Sequence, residues 1–178
     1  MYIRNGDLVI RNAESADCAQ LAAWWNDGKV MAHAGFPNGL GTTPEEIRES
    51  IRTDSDETRR RLIIAYSDKP IGEMSYRNVG DHTAEIGIKI CEAPYQEKGL
   101  GRVLLSMLIG KLFSMDYRKI ILDTNLKNTR AQHVYELLGF QKLRVNIDAW
   151  QDQVGQMQSS VDYELTPDRF VDYTALRQ

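Results

Sequence analysis

Residues 83–115 read TAEIGIKICEAPYQEKGLGRVLLSMLIGKLFSM, and the hydrophobic period changes inside this stretch. From Thr83 to Cys91 it is two: Ala84, Ile86, Ile88 and Ile90 fall on one face of a strand, and Glu85, Gly87, Lys89 and Cys91 on the other. From Gly99 to Met115 it is three and four, with Leu100, Val103, Leu104, Met107, Leu108, Leu112 and Met115 forming a helical stripe. Between the two lies Gln96-Glu-Lys-Gly-Leu-Gly-Arg102, which places two glycines and two basic residues where a strand hands over to a helix.

Downstream, Lys119 to Thr124 is an apolar strand, Asn128 caps a helix running to Leu138, and Gly139 stands where a left-handed helix end belongs. Two further strands, Phe140 to Trp150 and Ser159 to Leu165, precede a short helical tail. Upstream, Leu8 to Arg11 is a short strand, and Ser15 or Asp17 caps a helix through Leu21, Ala22, Trp24 and Trp25 that ends at Asn26-Asp27-Gly28. Residues 29–43 turn to Gly, Pro, His and Asn. Thr43-Pro44-Glu45-Glu46 then starts a second helix reaching about Arg52. Leu62 to Tyr66 and Ile71 to Val79 form a hairpin through Ser67 to Pro70. Hairpins followed by one strand-helix-strand crossover imply a mixed sheet with helices on its faces.

The 178 residues suffice for one domain, 1–178, with its own core. Twenty-two Lys and Arg against 25 Asp and Glu argue against a phosphate-backbone binder, so no nucleic-acid partner is expected. Cys18 and Cys91 have no metal or disulfide spacing; no metal is expected, and a reducing cytoplasm fits. No apolar run approaches the roughly 18 residues of a membrane helix and the N-terminus lacks a signal-peptide core, so no membrane partner is expected.

A helix N-terminus offers unpaired N–H groups, and Gly99 and Gly101 remove the β-carbons that would keep an anion from that backbone. Lys98 and Arg102 add positive charge. A Walker loop is missing, and a Rossmann fingerprint fails because position 104 is Leu. A glycine-relieved turn with a solvated surface uses the same residues, so the loop alone does not decide.

Gln96-Glu97-Lys98-Gly99-Leu100-Gly101 resembles the QxxGx(G/A) acyl-CoA motif of the GNAT superfamily of N-acyltransferases. Asn128-Thr-Arg-Ala131-Gln-His-Val-Tyr135-Glu-Leu-Leu-Gly139-Phe140 resembles its second signature, NxxAxxxYxxxGF. Trp24 to Val30 and Asp162 to Asp168 look like the branch that includes ribosomal-protein N-terminal acetyltransferases. The resemblance implies a GNAT-like, mostly antiparallel α/β sheet of about seven strands, with helices on both faces and one central β-α-β crossover. It also implies direct transfer of an acetyl group from acetyl-CoA to an amine; the sequence leaves monomer or homodimer open.

The same family resemblance implies roles for particular residues. Gln96 to Arg102, Asn125, Asn128 and Arg130 are expected at the cofactor, with a main-chain N–H from Ile88, Lys89 or Ile90 on the acetyl oxygen. Tyr135 is expected to donate to the leaving thiolate. Glu85 is the expected base, with Glu73 and Asp123 behind it. Trp25, Asp27, His33 and Phe36, with Glu85, are candidates for the acceptor pocket. The acceptor stays open: an N-terminal α-amine, a lysine, a polyamine, an aminoglycoside or a small metabolite amine, with a noncatalytic acyl-CoA sensor as the rival from another class. Exposing the neutral amine at pH 7 costs about 1 kcal/mol for an α-amine of pKa ~7.8, against roughly 4.6 for a lysine-like amine of ~10.4.

Overall fold

The computed structural model describes residues 1–176; the last two residues of the expected tail lie outside them. The strands β1 (Tyr2–Asn5), β2 (Leu8–Asn12), β3 (Arg59–Tyr66), β4 (Lys69–Asn78), β5 (Thr83–Ile90), β6 (Lys119–Asn125), β7 (Gln141–Gln151) and β8 (Met157–Leu165) form one sheet. Their order is β1-β2-β3-β4-β5-β6-β8-β7. Every neighbouring pair is antiparallel except β5 and β6, which are joined by the helix α4 (Leu100–Ser114).

One strand beyond the expected seven is β1. The turn that makes it is Gly6-Asp7, with Gly6 at φ 58° between the paired residues Asn5 and Leu8, a two-residue hairpin whose first position needs a left-handed residue. Its face alternates polar and apolar over only four residues, too few to carry a periodic signal.

The sheet is covered on both faces. On one side Leu104, Leu108 and Leu112 of α4, with Tyr135 and Leu138 from the region of α5 (Thr129–Leu137), pack on Ile64, Tyr76, Ile120 and Tyr163. On the other, Leu21 and Trp24 of α1 (Cys18–Asn26) and Ile47 of α3 (Pro44–Ile51) pack on Ile63 and Cys91. The start of α3 reflects its sequence. Thr43 Oγ1 accepts from Glu46 N–H, and Glu46 returns a carboxylate to Thr43 N–H.

Within residues 29–43 the chain adds a one-turn helix, α2 (Gly28–Met31), and a 3₁₀ turn over Ala32–Ala34. Two glycines hold this segment by close contact. A β-carbon on Gly28 would lie 1.9 Å from Pro37 O, and one on Gly39 would lie 2.2 Å from Asn26 O. Among the described residues no helix is long and apolar enough to cross a membrane.

Candidate active site

Parallel pairing between β5 and β6 lasts for three residue pairs, Thr83 with Lys119, Ala84 with Ile120 and Glu85 with Ile121. Beyond them β5 stays bound to β4 as far as Ile90, and β6 to β8 as far as Asn125. A fork therefore opens between two strands that are each tied down on their outer side. Cys91 N–H donates to Ile71 O on the β4 side. By alternation of main-chain direction, the same edge of β5 carries the main-chain groups of Ile86, Ile88 and Ile90; the Glu85–Ile121 pair takes up the Ile86 N–H, and the N–H groups of Ile88 and Ile90 face the fork. Gln96 Nε2 donates to Ile90 O at 2.8 Å and fastens the glycine loop to the mouth of the fork.

That loop enters α4 through Gly99, at φ 72°, and no side chain caps the helix. A β-carbon on Gly101 would meet nothing within 4 Å. Uncapped N–H groups, the positive end of a four-turn helix and open space above a glycine together fit a pyrophosphate. The chain thus fits the CoA moiety on its own geometry. Lys98 is exposed beside the loop, and the Arg102 guanidinium lies 5.3 Å from the centre of the Tyr173 ring. Glu97, at φ 59°, forms an ion pair with Arg130, tying the loop to α5. Arg130 therefore reaches the loop with part of its charge already matched. Asn128 caps α5 by accepting from Ala131 N–H at 3.2 Å. Asn125 is committed structurally, donating to Gln158 Oε1 and accepting from Lys127 N–H.

Tyr135 packs edgewise on Tyr163 and tilted on Phe140, at centroid separations of 5.7 and 5.8 Å. Every fully buried side-chain nitrogen or oxygen among the described residues has a partner, whereas the Tyr135 hydroxyl makes no hydrogen bond. Its oxygen must therefore reach open space from an otherwise buried ring. Burial first, and the Asp123 carboxylate second, push its pKa up to about 12. Against a thiol near ~8.5, full proton transfer from such a phenol would be uphill by about 5 kcal/mol, which suits the hydroxyl to hydrogen-bond donation rather than to giving up its proton. Asp123 stands just past the last β5–β6 pair. Its carboxyl is held above the usual range by desolvation, then by Glu85 and Asp162.

On the α1 face, a cleft of about 370 Å³ lies beside the fork, lined by Trp25, Met31, Leu40, Arg59, Arg61, Glu73, Ser75, Gly87 and Lys89 among others. Glu73 is buried. Its Oε1 accepts from the Trp25 indole at 2.7 Å and lies 3.5 Å from Lys89 Nζ, while Oε2 has no hydrogen-bond donor. Arg61 is held by Asp54 and Ser50 O through Nε and Nη2. The roof segment 28–40 rests on the β7–β8 turn: Gln153 N–H donates to Gly35 O, Gln153 Nε2 to Gly39 O, and the Trp150 ring fills the space beside Gly35.

Of the sequence-derived candidates, the loop Gln96 to Arg102, Ile88, Ile90, Asn128 and Tyr135 gather around the fork. Lys89 is corrected. Its main-chain groups turn to β4, paired with Glu73, and its ammonium lines the cleft on the α1 face. Glu85 does not line the cleft; its carboxylate holds Arg77. Asp27 caps α2 by accepting from Lys29 N–H, His33 is exposed, and Phe36 does not line the cleft, leaving Trp25 as the one of those four that does. Glu73, placed behind Glu85 in the sequence reading, is the carboxylate inside. Arg59, Met31, Leu40 and Trp150 carried no sequence signal, although Gly28, Gly35 and Gly39 marked the tight contacts that bring their segments together.

A model of the acetyltransferase (GNAT) domain matches residues 7–141. Among solved structures, spermidine N-acetyltransferase from Vibrio cholerae, in complex with CoA and spermine, superposes with a TM-score of 0.82 at 22% identity over 93% of this chain and 98% of its own. Ribosomal-protein-S5-alanine acetyltransferase from Vibrio fischeri superposes with a TM-score of 0.81 at 17% identity over 96% of this chain and 99% of its own. Comparison with curated proteins gives no match.

Because its β-carbon would meet only open space, Gly101→Val should fold with an unchanged melting temperature while weakening CoA binding by 10²-fold or more in calorimetry. Equal affinity in the two proteins removes the loop from the cofactor site. Tyr135→Phe keeps the ring packing and removes the donor. CoA affinity should hold while kcat falls about 10²-fold, and an unchanged kcat returns the residue to a purely packing role.

Proposed function

We propose, from the premise that the chain belongs to the GNAT acetyltransferase family, that the amine it acetylates is the α-amine of a peptide or protein N-terminus. Acetyl-CoA is the donor of that family, and when bound it supplies a thioester whose oxygen and sulfur gain negative charge as the amine attacks. The chain's own groups meet both charges. The N–H groups of Ile88 and Ile90 face the fork as donors for the oxygen, and the Tyr135 hydroxyl serves the sulfur.

Structural likeness extends to both polyamine and ribosomal-protein acetyltransferases, so the choice rests on the cleft. The observation that carries it is charge. Arg59, Arg61 and Lys89 line the walls with Glu73, and Asp54, which neutralises Arg61, has only 4% of its side chain exposed. A polyamine carrying three or four ammonium groups would find one available carboxylate among several cations. A single α-ammonium matches Glu73 Oε2.

The energetics agree. An α-amine needs only about 1 kcal/mol to become neutral at pH 7, so it does not require a strong dedicated base. Glu85, neutralised by Arg77, is then a strut between β4 and β5. Glu73 receives the incoming ammonium, beside the two donors of the fork, and holds it there until it releases its proton.

With an N-terminal peptide and with spermidine as acceptors between pH 6 and 9, kcat/KM should favour the peptide and rise with an apparent pKa near ~7.8. Glu73→Gln should raise the peptide KM about 10-fold and leave CoA affinity unchanged, because the indole donor and the fork stay in place. Efficient spermidine turnover without peptide turnover overturns the reading.

A further inference from the structure

Glu73, Lys89 and Ile63 occupy one row across β3, β4 and β5, and Arg59, Arg77 and Glu85 occupy another. Arg59 and Ile63 are four residues apart along β3, so the rows are separated by roughly 13 Å at ~3.3 Å per residue. Both Glu73 and Arg59 line the same cleft, which therefore runs from a carboxylate beside the fork to a guanidinium at its far end.

The charges at the two ends are not equally satisfied. Arg61 is held by Asp54 and Ser50 O through three hydrogen bonds from Nε and Nη2. Arg59 comes no nearer to Asp54 than 3.5 Å, through Nε, makes no side-chain hydrogen bond, and keeps 48% of its side chain exposed. Beyond it, Arg77 and Glu85 neutralise each other. The far end of the cleft thus presents a cation with donors to spare and no free acid. Lys89, with Glu73 as its one ion partner and 34% of its side chain exposed, adds positive charge along the way.

We infer that the acceptor is a peptide whose N-terminal α-amine meets Glu73 and whose second to fourth residues include an acidic side chain that meets Arg59, so that the enzyme selects acidic N-termini. This rests on the α-amine reading above and adds a sequence preference to it. An extended peptide advances ~3.3–3.6 Å per residue, so the second to fourth side chains fall within reach of a guanidinium about 13 Å of strand from the amine. A free acidic amino acid is too short to bridge the two ends. The Arg guanidinium suits a carboxylate because its planar fork can bind both oxygens.

The test is a set of three peptides identical except at positions two to four, which carry Glu, Gln or Lys, assayed for kcat/KM with wild type, Arg59→Gln and Arg59→Glu. Wild type should favour the Glu peptide over the Gln peptide about 10-fold, and that ratio should shrink as NaCl is raised from about 0.02 to 0.5 M. Arg59→Gln should bring the ratio close to one, and Arg59→Glu should turn the preference toward the Lys peptide, a reversal that a merely structural role for Arg59 would not produce. Equal use of the Glu and Gln peptides by wild type, or a Glu preference that survives both substitutions or is indifferent to salt, overturns the inference while leaving the α-amine reading intact. Turnover of spermidine with none of the three peptides removes that reading, and this inference with it.

Discussion

The early end of the β5–β6 ladder is the constraint on which the rest depends. Only Thr83, Ala84 and Glu85 pair across it, yet both strands continue, each held by its other neighbour. The main-chain groups of Ile88 and the N–H of Ile90 that would have bonded to β6 are left facing a gap. Unpaired backbone donors and acceptors are costly when shut away from water, so the fold keeps them at an open fork, where an extended ligand can take the place of the missing strand. The opening also sets where the other parts are useful. The glycine loop lies at the mouth of the fork through Gln96 and Ile90 O, and the Tyr135 hydroxyl emerges from the core without a partner.

The acceptor side arises from the opposite face of the same strands. Period-two alternation that buries Ile86 on the α4 side turns Glu85, Gly87 and Lys89 toward α1. Glu73 is paired directly with Lys89, and Trp25 reaches down from α1 to hold it. The roof stays over this row because two glycines let residues 28–40 fold back on themselves, and because Gln153 at the β7–β8 turn bonds to Gly35, Asn38 and Gly39. Donor slot and acceptor cleft therefore lie on either side of β5, the strand that contributes main-chain groups to one and side chains to the other.

Legibility in the sequence tracks the range of the interactions involved. α4 is readable because its buried stripe repeats over four turns, and α3 because its capping box is local. The glycine loop and Tyr135 are readable through motifs, which record spacing along the chain. β1 escapes a sequence reading because four residues hold no period, and α2 because a single turn among glycines looks like loop. The acceptor cleft is the least legible part, since it joins α1, β3, β4 and β5 across the sheet. Glu85 draws attention by lying on the strand that leads into the loop, but the partner that neutralises it, Arg77, is set by register. Glu73 gains its place from Trp25, distant in sequence. Lys89 falls on β5 by sequence as by structure, but its main chain faces β4 rather than the fork, because spacing does not say which edge an N–H faces.

The proposed function makes the fork between β5 and β6 the cofactor slot on which donor and acceptor sites both depend. Amide hydrogen exchange with and without acetyl-CoA tests this most directly, because the relevant donors are main-chain N–H groups. Protection should rise at Ile88 and Ile90 and at the start of α4, and stay as it was from Thr83 to Ile86, where the ladder with β6 and β4 already holds the amides. Binding that leaves Ile88 and Ile90 exchanging at the rate of the free protein would contradict it.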